Sequence, residues 1–236
     1  MSGFRSIELA EASIRRIGEA TQMDGSSFIR EASLASPSPD SAIANFEKWL
    51  LSTSSPAMFL SALLGVPHIA ENLFFVLGSS QPLADSIVQN PELASIFVDP
   101  TLLTLRPTLD ALFIEGGGLL DASNSYLHGL DRLRYLKQRW TLPLVVNDLT
   151  GAWSAQDVWD AISVVAEGCV LLTRDWVWKD FSTKHGLEGD CPIEIIAFGK
   201  LGGRELNYSS DIDLVLVRSE AIDDALASRF ANVLIA

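Results

Sequence analysis

The residues best suited to chemistry lie together between positions 199 and 213. Gly199, Gly202 and Gly203 put three glycines into five residues. Glycine lets backbone amides approach an anion and adopts positive φ without a steric penalty. Lys200 and Arg204 add positive charge, and Ser209 and Ser210 set two hydroxyls before a carboxylate. Such a loop suits a phosphate, although it lacks the Lys-Ser/Thr ending of a Walker loop. Asp211 and Asp213 follow, two residues apart. On a strand, that spacing puts both carboxylates on one face and turns Ile212 and Leu214 toward the core. Two carboxylates that close repel unless a cation sits between them, and Mg²⁺ prefers a few carboxylates plus phosphate oxygens. Metal-assisted transfer of a phosphoryl or nucleotidyl group is the chemistry this set would serve. Taken singly, an Asp-x-Asp is a common strand end and a Gly-Gly a common turn. Their order and spacing carry the reading.

The elements around this loop must hold it. Residues 193–198, Ile-Glu-Ile-Ile-Ala-Phe, read as one strand and residues 211–217 as a second. Residues 219–236 return to a helical pattern, with Ala225, Phe230, Val233 and Leu234 apolar. Upstream the signals are helical. Ser154 with Asp157 forms a box-like start. Val158, Ile162, Val165, Cys169, Leu172 and Trp176 then recur in steps of four and three, an apolar stripe for core packing. Residues 130–140 form a basic amphipathic segment that Pro143 is expected to end or kink. Gly116, Gly117 and Gly118, with the polar stretch near Ser123, read as a break. Asp40 or Ser41 caps a helix through Leu51, and Ser55-Pro56 and Asn90-Pro91 each place proline at a helix start. Ser36-Pro-Ser-Pro-Asp40 reads as a linker. The organisation expected is an N-terminal segment and linker (1–40), a helical region (41–185) and a mixed region (186–236), giving an α+β fold.

Composition narrows the partners. With 17 basic and 30 acidic residues, the net charge is −13. That balance argues against nucleic acid or an anionic membrane as partner, since both call for excess Lys and Arg. Cys169 and Cys191 are the sole cysteines, in no metal-binding spacing, which suggests a reduced, cytoplasmic protein. His68, His128 and His185 are scattered. No signal peptide is expected, and the Leu- and Phe-rich residues 58–77 are interrupted by Pro67, His68, Glu71 and Asn72, so no membrane span is expected.

An apolar strand, a Gly-Gly, seven intervening residues and an Asp-x-Asp opening a second strand resemble the nucleotidyltransferase fold related to DNA polymerase β. The run Gly199-Lys-Leu-Gly-Gly-Arg-Glu-Leu-Asn-Tyr-Ser-Ser-Asp-Ile-Asp-Leu214 is similar, nearly residue for residue, to the motif of the bifunctional glutamine synthetase adenylyltransferase/adenylyl-removing enzymes. A looser resemblance takes in residues 81–93, 133–149 and 154–178, and the whole covers about residues 56–236. It departs at Asn147, where arginine is usual, and at Trp140 and Thr141. The resemblance implies a helical region followed by the start of a polymerase-β-like domain. It implies Asp211 and Asp213 as catalytic ligands of Mg²⁺ or Mn²⁺. Gly202, Gly203, Ser209, Ser210, Lys200 and Arg204 would bind the phosphates of ATP or ADP, or inorganic phosphate. It implies glutamine synthetase and a PII-type nitrogen-signalling protein as partners. The family joins two such halves, one adding AMP to a tyrosine of glutamine synthetase and one removing it by phosphorolysis. The motif's place in this chain is similar to the removing half. The family's third metal carboxylate lies on a later strand, whereas this sequence stops 23 residues after Asp213, so weak or no activity is expected of these residues alone. Two alternatives stay open: a non-catalytic fragment that contacts glutamine synthetase or a nitrogen-signalling protein, and another polymerase-β-like nucleotidyltransferase.

Overall fold

The computed structural model describes residues 3–97 and 100–235, with the side chains of His68, Ile69 and Pro100 outside that description. Two compact units meet in sequence between Leu105 and Arg106. The sequence instead placed boundaries near residues 40 and 185, and the packing within each unit explains the difference.

The first unit is helical: α1 (Ile7–Thr21), α2 (Ser26–Ser33), α3 (Pro39–Ser52), α4 (Pro56–Leu64), α5 (Pro67–Ser79), α6 (Gln81–Gln89), a 3₁₀ segment (Pro91–Phe97) and α7 (Pro100–Thr104). Helices α3 to α6 each carry proline in the first two positions, where its missing N–H costs nothing. Phe46 and Trp49 of α3 and Phe74 of α5, all fully buried, form an aromatic centre that partly buried Phe59 of α4 joins through Trp49. Residues 36–40 are no linker. Ser36 is buried, and the Asp40 carboxylate accepts the amides of Arg5 and Ser6 at 2.9 Å each, stitching α3 to the start of α1. Helix α3 begins at Pro39 with Ser38 before it, so Asp40 lies inside the first turn and closes on a neighbouring strand of chain instead. Asn90-Pro91 opens the 3₁₀ segment, not an α-helix.

The second unit runs α8 (Leu109–Asp121), α9 (Tyr126–Leu149), α10 (Ala155–His185), β1 (Ile193–Phe198), α11 (Gly199–Gly202), β2 (Asp213–Arg218) and α12 (Asp224–Ile235). Together the units are mostly helical with one two-stranded antiparallel sheet, consistent with the α+β class. Ser154 and Asp157 close the expected capping box on α10. Of its predicted stripe, Val158, Ile162, Val165 and Leu172 are buried, and Cys169 and Trp176 pack against buried clusters. Gly186, in the left-handed region at φ 62°, ends α10.

Two expectations are corrected: the break falls at residues 122–125 near Ser123 and not at the glycines, and Pro143 does not end its helix. Gly116, Gly117 and Gly118 lie inside α8, where a Cβ on Gly116 would stand 2.5 Å from Leu172 Cδ1 and 2.9 Å from Leu136 Cδ2. The glycine there permits close helix packing. Pro143 lies inside α9, which continues to Leu149. A proline in a helix interior costs ~3 kcal/mol. Burial of Leu142, Leu144, Val145 and Val146 offsets it, at ~1.5–3 kcal/mol for each large apolar side chain. In α12, Phe230 is fully buried with Leu226, Ala227 and Leu234 alongside, while Ala225 and Val233 face outward.

Both cysteines are free thiols, and burial pushes the Cys169 thiol up to about 11. No helix among the described residues is long and apolar enough to cross a membrane.

Candidate active site

The site is the mouth of a hairpin laid along α10. Strands β1 and β2 pair antiparallel from Ile193↔Arg218 to Phe198↔Asp213. Alternation gives them two faces. Ala197 and Leu214 pack on a cluster of Leu144, Val158, Ala161, Ile162 and Val165, while Ile193 and Leu216 pack on Val177, Trp178, Phe181 and Phe230. The other face carries Ile196, Phe198, Asp213, Val215 and Val217, all exposed. Asp213 therefore stands on the face turned away from α10, at the end where the loop of residues 199–212 leaves and returns.

Hydrophobic anchors hold this loop down. Leu201 and Leu206 are buried in the same cluster as Leu144 and Val158, worth ~1.5–3 kcal/mol each. Between them the chain makes one helical turn, α11, and then a tight exit: Gly203 N–H donates to Gly199 O at 3.0 Å and Glu205 N–H to Lys200 O at 2.8 Å. Arg204 takes positive φ, 55°. Gly202 is pressed against the end of β1, where a Cβ would lie 2.5 Å from Ala197 O. Gly199 has φ 56°, and a Cβ there would lie 2.3 Å from Asp213 Oδ2. The absent side chain of Gly199 is thus the space that the Asp213 carboxylate occupies.

The second half of the loop is organised by Asn207 and Ser210. Ser210 Oγ donates to Asn207 Oδ1 at 2.8 Å and accepts from Asn207 N at 3.2 Å, while Ser209 N–H donates to Asn207 Oδ1 at 3.1 Å. Lys200 Nζ reaches Ser210 Oγ at 3.5 Å, so the two ends of the loop meet. These bonds divide the predicted residues by role. Ser210 and the Gly203 amide are committed to shaping the loop, whereas Lys200, Ser209, Asp211 and Asp213 are exposed at its surface. Arg204 leans away, pairing with Glu167 of α10 at 3.3 Å. Asn207 was not singled out by sequence, although Asn-x-x-Ser is a spacing at which side chains bond turn backbone.

One detail of the carboxylate pair differs from expectation. The ladder begins at Asp213, so Asp211 and Ile212 precede the strand and Ile212 is 41% exposed instead of turned to the core. With β1 ending at Phe198, the register supplies no partner for Ile212.

The residues fit a divalent ion of the Mg²⁺ type. The exposed Asp213 carboxylate lies in the space left by Gly199, exposed Asp211 precedes it by two residues, and such an ion would fill its remaining positions with water and phosphate oxygens. Among the described residues no cluster of three or more His, Cys, Asp or Glu side chains forms a larger metal cage.

Residues 70–231 match the family model described as glutamate-ammonia ligase adenylyltransferase. Curated relatives named bifunctional glutamine synthetase adenylyltransferase/adenylyl-removing enzyme include that of Rhodopseudomonas palustris strain HaA2, 30% identical over 202 residues, or 84% of this chain and 20% of the relative. That of Xanthobacter autotrophicus is 27% identical over 227 residues, 91% of this chain and 23% of the relative. That of Aromatoleum aromaticum is 26% identical over 197 residues, 83% and 21%. The chain spans about a fifth of the length of these relatives.

Proposed function

Because the chain belongs to the glutamate-ammonia ligase adenylyltransferase family, we propose that residues 199–213 are the first part of a nucleotidyl-transfer site acting on the AMP carried by a tyrosine of glutamine synthetase. The observation that carries this reading is the fit of Gly199 to Asp213: a glycine in the left-handed region whose missing Cβ leaves room for one carboxylate oxygen. On this reading residues 186–236 begin a polymerase-β-like domain in a cytoplasmic protein. A PII-type signalling protein and glutamine synthetase are its partners.

Asp211 and Asp213 would hold Mg²⁺ or Mn²⁺, which when bound neutralises charge on the transferring phosphoryl group. Lys200 and the Ser209 hydroxyl, with the Gly202 amide, would orient phosphate. Gly203 and Ser210 keep the loop in shape for them. Arg204, paired with Glu167, would reach a phosphate only by leaving that partner. In removal, an oxygen of inorganic phosphate attacks the phosphorus of AMP, the bond to the tyrosine oxygen breaks, and ADP and free tyrosine result. In addition, the tyrosine oxygen attacks ATP and pyrophosphate leaves. Both directions call on the same metal and phosphate chemistry, and removal is the direction that the test reads. Positioning and charge neutralisation supply most of the rate in such transfers.

The test supplies adenylylated glutamine synthetase with inorganic phosphate, Mg²⁺ and a stoichiometric amount of the chain, so that slow turnover is visible. ADP formation that disappears when Asp211→Asn and Asp213→Asn are combined is the expected result. ADP formed equally fast by the doubly substituted chain would refute the assignment.

A further inference from the structure

We infer that Phe198 seats the base of the nucleotide: its ring, with Ile196 and Val215 alongside, forms an apolar platform next to Asp213 on which the base stacks. The inference rests on the proposed metal and phosphate site and adds to it the residue that holds the nucleoside.

Strand register puts the platform there. Phe198 and Asp213 are cross-strand partners, the last pair of the ladder. Directly opposed residues of an antiparallel pair share a face, with Cβ atoms about 4.5–5.5 Å apart. The Phe198 ring therefore starts within a side chain's reach of the carboxylate assigned to the metal. Ile196 follows on the same face by the period of two, and Val215 is its cross-strand partner. All three are exposed, Phe198 at 53%. Ala197 and Leu214, one residue along on each strand, pack instead against the cluster around Leu144 and Val158. The hairpin thus has a packed face and a bare one, and the bare one runs directly from Asp213.

Chemistry selects the occupant. A nucleotide held by its phosphates at Asp213 has the polar loop of residues 199–212 on one side and the strands on the other. The strand face offers only hydrocarbon and one aromatic ring, at Val215, Ile196 and Phe198. The base is the part of a nucleotide that such a surface suits. Stacking on an aromatic ring needs no hydrogen bond and tolerates every base, so Phe198 holds the base without choosing among bases.

The test compares ADP with inorganic pyrophosphate, which share a diphosphate and differ in the nucleoside. Each is titrated as its Mg²⁺ complex into the chain by calorimetry. Phe198→Ala should weaken ADP binding by about tenfold, within the range of one base–aromatic stack, and leave pyrophosphate binding within about twofold of the parent. Phe198→Leu keeps apolar bulk without the ring and should lose most of the same affinity. Phe198→Trp should bind ADP at least as well as the parent. Parent-like ADP binding by Phe198→Ala would overturn the inference, as would an equal loss for ADP and pyrophosphate, which would make Phe198 a support of the loop. Sedimentation velocity of the ligand-free chains reads the other occupant: a parent dimer that Phe198→Ala dissociates would assign this face to a second copy and overturn the inference. Failure of the underlying site shows separately. Pyrophosphate binding that is absent from the parent, or that survives Asp211→Asn with Asp213→Asn, removes that reading and this inference with it.

Discussion

Replacing Gly199 by alanine perturbs the site through one added methyl group. Two effects can be sized separately. An alanine held at φ 56° costs about 1–2 kcal/mol, because its Cβ crowds the following carbonyl in the left-handed region. The same Cβ would start 2.3 Å from Asp213 Oδ2, so the carboxylate must retreat by roughly 1 Å to reach ordinary contact. Magnesium-type ions demand near-ideal geometry at about 2.0–2.1 Å, and a ligand displaced by that much is lost or badly aligned. Gly199→Ala should therefore lower the melting midpoint by a few degrees and weaken Mn²⁺ binding by about tenfold or more. Gly199→Asn separates the two effects. Asparagine tolerates positive φ but still carries a Cβ, so it should recover the midpoint and leave metal binding impaired. Calorimetric titration with Mn²⁺ and ADP, with melting followed by circular dichroism, reads both. Parent-like Mn²⁺ affinity in a folded Gly199→Ala chain would refute the reasoning that this space exists for the carboxylate.

Neighbouring glycines of α8 should behave oppositely. Gly116→Ala should destabilise by about 1–3 kcal/mol through overpacking against Leu172 and Leu136. Gly117→Ala, with open space around its Cβ, should stabilise by about 0.5–1 kcal/mol, both measured by urea unfolding. Ser154→Ala removes the capping box of α10 and should cost about 1 kcal/mol in the same assay. Glu47 has its carboxyl held below the ordinary range, first by the hydrogen bond from Arg16. A depressed folded pKa means its stabilisation is present above the unfolded value of about 4.3 and is lost as pH falls through the folded one. Glu47→Gln should therefore shrink the drop in urea midpoint of the first unit between pH 6 and acid conditions.

Features fixed by local chemistry were readable from the sequence. Strand β1 and most of β2 follow from alternating β-branched residues, the start of α10 from Ser154 with Asp157, and its packed face from the stripe at steps of four and three. The loop could be read because its glycines, serines and carboxylates stand in order along the chain. Features decided by distant partners could not. Whether three glycines break a helix or let two helices approach depends on Leu136 and Leu172, which no window around Gly116 contains. Pro143 is tolerated because the helix around it is buried. The serine- and proline-rich residues 36–40 become a packed turn because Asp40 finds the amides of Arg5 and Ser6. In the site itself, the engagement of Arg204 by Glu167, and the exposure of Ile212 just before the ladder, are likewise products of three-dimensional neighbours.

The central claim is that Asp211 and Asp213, framed by the glycine loop, bind a divalent metal together with phosphate. Titrating Mn²⁺ into the chain with ADP present tests it most directly, with the parent beside the Asp211→Asn, Asp213→Asn variant and both shown to be folded. The account predicts saturable Mn²⁺ binding by the parent that is abolished in the variant. Equal binding by the two chains, or none by the parent at millimolar Mn²⁺, would contradict it.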